Sequence, residues 1–304
     1  MPAPMGTATM APTMNHSERT SAVTSESEWR RVWARLARNP VAMGGAIVVL
    51  AWVLAALMAP WIAPYDPIEQ NVPNRLAAPS AQHWLGVDGL GRDVLSRVLY
   101  GGRISLPVAA VVVVLASVFG TLYGAMAGFL GKWADEVAMR IVDMVLSFPA
   151  LILAMAIAAA LGPSIKNSML AMLLVWWPPY ARLARGQVLA LKESDFVPAA
   201  LSLGLSSRRI LLRHILPNSV APSLVLMAMD FGNAIIITAA LSFLGLGAVP
   251  PTPEWGAMVA EGRELIQQWW ISTFPGVAIL MVAIGCNFVG DGLRDAMDPR
   301  LRLR

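Results

Sequence analysis

Charged residues in this chain are gathered into short groups, and between them run long stretches with no Asp, Glu, Lys or Arg. Four of these, 39–65, 104–131, 144–165 and 265–290, hold 27, 28, 22 and 26 residues. A helix crossing ~30 Å of hydrocarbon needs about 20 mostly apolar residues, so each is long enough to span a bilayer. Residues 214–253 form a fifth stretch, broken only by Asp230 and ending in Pro250, Pro251 and Pro253, which holds one span. A sixth, 167–181, has only 15 residues and ends in Pro178 and Pro179 before Ala181. With 57% hydrophobic and 14% charged residues, the chain carries more apolar surface than a water-soluble fold of 304 residues can bury. The expected class is an all-α integral membrane protein.

The basic residues decide the number of spans. With six, residues 1–40, 130–140, 182–218 and 291–304 share one side and carry 17 of the 23 Lys and Arg, leaving Arg75, Arg92, Arg97, Arg103, Lys166 and Arg263 on the other. Dropping the fourth span would place Arg182 to Arg213 and the C-terminal arginines outside, against the positive-inside rule. The expected topology is therefore six transmembrane helices with both ends cytoplasmic. The basic pI of 9.6 reads as this topology signal, not as a nucleic-acid footprint.

The expected organisation is a disordered cytoplasmic tail at 1–28, rich in Ser, Thr, Met and Pro and without the apolar core of a signal peptide. Residues 29–104 comprise an interfacial helix (WRRVWARLAR, Trp29–Arg38), the first span and an external segment. A five-helix core follows at 105–294, with a cytoplasmic loop at 191–218, and a short tail closes the chain at 295–304. Trp255, Trp269 and Trp270 fit an outer aromatic belt.

Catalytic and metal-binding patterns are missing from the sequence. No G-x-x-x-x-G-K-[ST] surrounds Lys132, Lys166 or Lys192, so the chain is not expected to hydrolyse nucleotide. Neither H-E-x-x-H nor G-x-S-x-G occurs. Cys286 is the only cysteine and the histidines are three, far apart, which leaves no catalytic or metal set. The acid pairs Asp135 with Glu136 and Glu261 with Glu264 read as solvated surface.

The loop LKESDFVPAALSLGLSSRRILLRHILPNSVAP (191–222) is longer than a helical hairpin needs. Asp195 can N-cap a short helix over 196–203, with Pro198 at N3 and Gly204 at the C′ position. Ser206 can cap a second helix over 207–216, and Pro217 and Pro222 mark the start of the fifth span. At these residues the sequence resembles the permease subunits of binding-protein-dependent ABC importers, in the dipeptide/oligopeptide branch and of the second-permease, C-type kind. The family signature, Glu-Ala-Ala, three residues, Gly, then Ile-x-Leu-Pro, reads here as Pro198-Ala199-Ala200, Gly204 and His214-Ile215-Leu216-Pro217. Pro198 stands in the Glu place and His214 in the Ile place. Leu85–Leu106, Leu241–Gly256 and Asp291–Arg302 resemble the same branch.

The resemblance implies a type I importer permease in which Asp195, Phe196, Ala199, Ala200, Gly204, Leu216 and Pro217 form the coupling segment seated in an ATPase. It implies as partners two ABC ATPase subunits, which bind the ATP and Mg, an extracytoplasmic substrate-binding protein and a homologous second permease; this chain itself would need no cofactor. The expected cargo is peptides, with nickel chelates or glutathione as alternatives and a stand-alone secondary transporter as a reading of another class. Asp230, about eleven residues into the fifth span, either faces the translocation pathway with Asn233 and Ile237 or bonds to a neighbouring helix or subunit. Asp93 and Arg97, with Arg92 beside them, read as an i,i+4 pair that pins the outer surface or meets the binding protein. Arg140 and Asp143 read as a mutually neutralising i,i+3 pair, and Pro149, Pro178 and Pro179 as kinks.

Overall fold

The computed structural model describes residues 33–194, 209 and 216–297. Its named elements are helices: α1 (Pro40–Ile62), α2 (Val94–Leu130), α3 (Lys132–Leu146), α4 (Ala150–Leu161), α5 (Ile165–Trp176), α6 (Pro178–Lys192), α7 (Leu216–Phe243), α8 (Trp255–Gly262) and α9 (Trp270–Met297). Four of them, α1, α2, α7 and α9, are long and apolar enough to cross a membrane, and the bent pair α3–α4 makes a fifth if it counts as one span. Of the expected interfacial helix, 33–36 are helical, and 29–32 lie outside the described residues.

The first two long helices begin at side-chain caps. The Asn39 side chain accepts from the Val41 and Ala42 amides at 3.1 and 3.2 Å, and Pro40 fills the first helical position, where no N–H is needed. The 23 residues of α1 then rise about 34 Å, enough for the hydrocarbon. Asp93 caps α2 through the Ser96 amide, and the 37 residues of that helix rise about 55 Å, so it projects beyond a bilayer. The expected boundary near 104 falls inside α2: the segment holding Arg97 and the second span are one helix.

The expected third span, 144–165, is not one straight helix. α3 and α4 meet at 86° across Ser147–Pro149, because Pro149 cannot continue a hydrogen-bonded turn. At Pro178 and Pro179, by contrast, Trp177 keeps helical dihedrals (φ −75°, ψ −26°), so α5 runs on into α6 through the expected kink. The prolines occupy the first turn of α6, where their missing N–H groups cost little.

Helices touch through small residues, as expected where lipid removes the hydrophobic drive between them. A Cβ on Gly45 would lie 2.6 Å from the Gly285 carbonyl oxygen, which brings α1 against α9, and one on Gly232 2.8 Å from the Ala283 oxygen, which brings α7 against α9. α6 lies along the C-terminal half of α2, facing Gly120, Gly124 and Gly128, a run at four-residue spacing.

Candidate functional site

Among the described residues, a buried polar cluster sits at the N-terminal end of α2. Arg92 and Arg97 are only 2% and 1% exposed. Asp88 closes the turn that positions them: its Oδ1 accepts from the Leu90 and Arg92 amides at 2.9 and 3.0 Å. Its Oδ2 accepts from Arg92 Nε at 2.7 Å and from Arg97 Nη1. Glu261, from α8, accepts from Arg92 Nη2 at 2.8 Å and takes a fork from Arg97 at 2.9 and 3.0 Å. Burial acts to raise the Asp88 carboxyl, but the Arg97 guanidinium, the amides of Arg92 and Leu90 and the Arg92 charge together hold it below the ordinary carboxylate value.

The expected Asp93–Arg97 pair does not form. Arg97 turns to Asp88 and Glu261, while Asp93 accepts from the Ser96 amide and hydroxyl at 2.8 Å each and meets His83 Nδ1 at 2.9 Å. The capping role of Asp93 explains this, since a carboxylate folded back on the helix start cannot reach forward one turn. Glu261 is likewise no solvated surface acid, although Glu264 is, 80% exposed and paired with Arg263 at 3.5 Å. Trp255 and Trp270 are buried, and Trp269 alone of the expected belt is exposed. Trp255 fills the notch at Gly101 and Gly102 and donates to the Val98 carbonyl at 2.8 Å, and Trp270 donates to Val87 at 3.1 Å. Glu254 caps α8 and accepts from Ser105 at 3.0 Å. Together these contacts lock the 76–93 loop, α2 and α8 into one block.

Midway along the bundle stands Asp230, half-buried on α7. Tyr180, Asn233 and Trp176 lie near enough to act on its carboxyl, although the buried Tyr180 hydroxyl makes no hydrogen bond among the described residues. Asn233 is exposed and Ile237 half-buried on the same helix. Nearby, α2 and α7 enclose a groove of about 330 Å³ lined by Val114, Val118, Leu122, Leu224 and Met227. The Thr121 and Ser223 hydroxyls, 3.0 Å apart, lie on that groove.

A second polar set lies at the C-terminal end of α2, where α3 and α6 meet. Arg185 grips Asp135 with two hydrogen bonds of 2.6 Å, and Arg182 reaches Asp143 at 2.7 Å. Lys192 donates to the last carbonyls of α2, Gly128 and Phe129, at 3.2 and 3.0 Å, a favourable place for a cation at a helix C-terminus. The expected Arg140–Asp143 pair is replaced: Arg140 approaches Glu136 at 4.0 Å on the exposed side. Asp135 is no solvated acid either. Six residues after Arg185 the chain passes Leu191 into the loop, of which Asp195, Phe196, Ala199, Ala200 and Gly204 lie outside the described residues. Leu216 and Pro217 form the start of α7.

Sequence reasoning passed over Asp88, His83, Glu254 and the glycine run. The Asp-Gly-Leu-Gly turn at 88–91 and the four-residue glycine spacing were readable signals. Glu261 had none, because its partners lie 164 and 169 residues away.

Comparison with known proteins places these features in a family. Residues 120–303 match the binding-protein-dependent transport system inner membrane component family, and residues 27–79 match the N-terminal TM domain of oligopeptide transport permease C. The dipeptide transport system permease protein DppC of Alkalihalophilus pseudofirmus is 44% identical over 96% of this chain and 97% of its own. The probable D,D-dipeptide transport system permease protein DdpC of Escherichia coli K12 is 45% identical over 93% and 97%. The glutathione transport system permease protein GsiD of Escherichia coli O1:K1 is 45% identical over 90% and 91%. Among solved structures, a chain of the inward-facing MetNI methionine ABC transporter shares the fold with a TM-score of 0.54 at 16% identity, covering 66% of this chain and 96% of that one. The chain belongs to the binding-protein-dependent transport system inner membrane components, as a multi-pass permease subunit of an ABC importer.

Proposed function

We propose that this chain is the C-type permease of a peptide importer, paired with a homologous second permease, six spans deep and with both ends in the cytoplasm. The observation that carries the cargo reading is the match of residues 27–79 to oligopeptide transport permease C together with 44–45% identity to two dipeptide permeases. Glutathione, itself a tripeptide with a free amino end, is the second reading, favoured by the identity to the glutathione permease.

In this reading the end holding Asp135, Arg185 and Lys192 is cytoplasmic, and the Asp88–Arg97–Glu261 block is external, facing the binding protein. ATP-driven closure of the ATPases moves the segment carrying Asp195, Phe196, Ala199, Ala200, Gly204, Leu216 and Pro217. Asp230, Asn233 and Ile237 border the pathway, where the Asp230 carboxyl either meets the cationic amino end of a passing peptide or holds α7 to a neighbouring helix or subunit. The test is uptake by the whole transporter in vesicles. Dipeptide uptake should require ATP and the binding protein. In Asp230→Asn it should fall more for peptides with a free amino end than for amino-blocked ones. Uptake without the ATPases would make the chain a secondary transporter; equal loss for both cargoes would make Asp230 structural.

A further inference from the structure

We propose that α3 is a lever that carries motion of α6 into α4, with Asp135–Arg185 as its main joint and Asp143–Arg182 as a second. The proposal rests on the reading of the loop after α6 as the ATPase docking segment.

Three observations support it. The first is that α3 is hinged at both ends. Gly131 takes φ +67° and Lys132 φ +49°, a left-handed corner that ordinary residues avoid, and the 86° break across Ser147–Pro149 follows fifteen residues later. The second is that α3 has little apolar anchorage. Val142 is its one fully buried residue, packed with Trp177, Tyr180 and Ala181 in a small cluster apart from the main core; Met139 and Val145 pack on that cluster from half-buried positions, while Val137, Ile141 and Met144 remain exposed. A helix held this way can turn as a unit without repacking a core.

The third is that its polar contacts lie where force would arrive. Asp135 and Asp143, two turns apart on α3, meet Arg185 and Arg182, one turn apart on α6. The Asp135 side chain is 14% exposed and its pairing is bidentate, which fixes direction as well as distance. The Asp143 pair is more than half exposed and adds less. Tyr123 Oη donates to the Ala138 carbonyl at 3.2 Å, setting a pivot between the two joints. Displacing α6 along its axis pulls the start of α3 through Arg185, and the rigid helix delivers the displacement to α4. Asp135 and Arg185 are thus positioning residues for transport and touch no substrate.

The test uses the complete transporter in vesicles, with a spin-label pair at Ile152 on α4 and Val118 on α2, both exposed. ATP should change the label distance in the otherwise wild-type protein. Asp135→Asn or Arg185→Gln should abolish that change and lower dipeptide uptake per ATP hydrolysed at least tenfold, with hydrolysis itself within twofold. The charge-swapped double variant, Asp135→Arg with Arg185→Asp, should recover both. An unaltered distance change in the single variants overturns the proposal, as does a parallel loss of uptake and hydrolysis. Should Asp135→Asn fail to assemble with the ATPases, Asp135→Glu, which keeps the charge on a longer arm, should show a reduced distance change; a wild-type change there also overturns it. The distance readout needs no peptide, so a transporter that moves no dipeptide would refute the cargo and leave the lever testable.

Discussion

A guanidinium taken out of water costs several kcal/mol unless carboxylates accept its N–H groups. Arg92 and Arg97 are both in that position, and they share two acids, of which Asp88 is buried with them and Glu261 is partly exposed. Replacing Asp88 with Ala should therefore cost about 3–5 kcal/mol, the range for breaking a buried pair on one side. Because the folded carboxyl titrates below its ordinary value of 3.8, its contribution is fully present above that pH and is lost as pH falls through the depressed value. Thermal unfolding of the detergent-solubilised protein checks both: the wild type should lose stability at acid pH more steeply than Asp88→Asn, and parallel pH curves would dissociate Asp88 from the effect. At this scale the types of the residues were legible and their partners were not. Arg92, Asp93 and Arg97 stand out as charges beside an apolar run, but whether Arg97 pairs with a neighbour four residues back or with Glu261, 164 residues on, depends on how α8 folds over α2.

Helix α2 meets α6 closely because Gly124 carries no side chain: a Cβ there would collide with the Ala181 backbone. Backbone cannot rotate aside as a side-chain end can, so the two helices would have to separate. Gly124→Ala should cost about 1–3 kcal/mol, as overpacking does, and Gly124→Val should prevent stable assembly. Gly186 on α6 is the control, being exposed with open space around its missing Cβ; Gly186→Ala should be neutral or stabilising by about 0.5–1 kcal/mol through helix propensity. Melting temperatures in detergent decide the matter, and equal temperatures for Gly124→Ala and Gly186→Ala would mean that the seam is loose. The helix starts at Asn39 and Asp93 are local, since a cap is a contact within four residues, yet Asp93 reads in sequence as a partner for Arg97 and only the structure shows it as the cap. The run of glycines at 120, 124 and 128 was readable as a packing face, though not which helix would use it.

Across the whole molecule the test is topology. Reporter fusions at Lys132 and Lys192 should read cytoplasmic, and fusions at Arg75 and Arg263 external; an external signal at Lys192 would remove the span over 165–181. That segment is where hydropathy alone is weakest, because its uncharged run is short and the helix continues through Trp177 into the basic α6. The all-helical, membrane-spanning class and the positions of the long spans were determined by the sequence by itself. Crossing a bilayer is a local requirement, about 20 apolar residues in a row with charges at the ends, and a chain displays it without reference to anything distant. The tertiary structure alone decided that Trp255 is core rather than belt, that Glu261 serves Arg92 and Arg97, and that α3 and α4 meet at 86°. Each of these depends on which surface a segment lands against. In lipid, where apolar faces are interchangeable, that choice is made by close approach of small residues and by pairing of the few buried charges, and both bring together residues far apart along the chain.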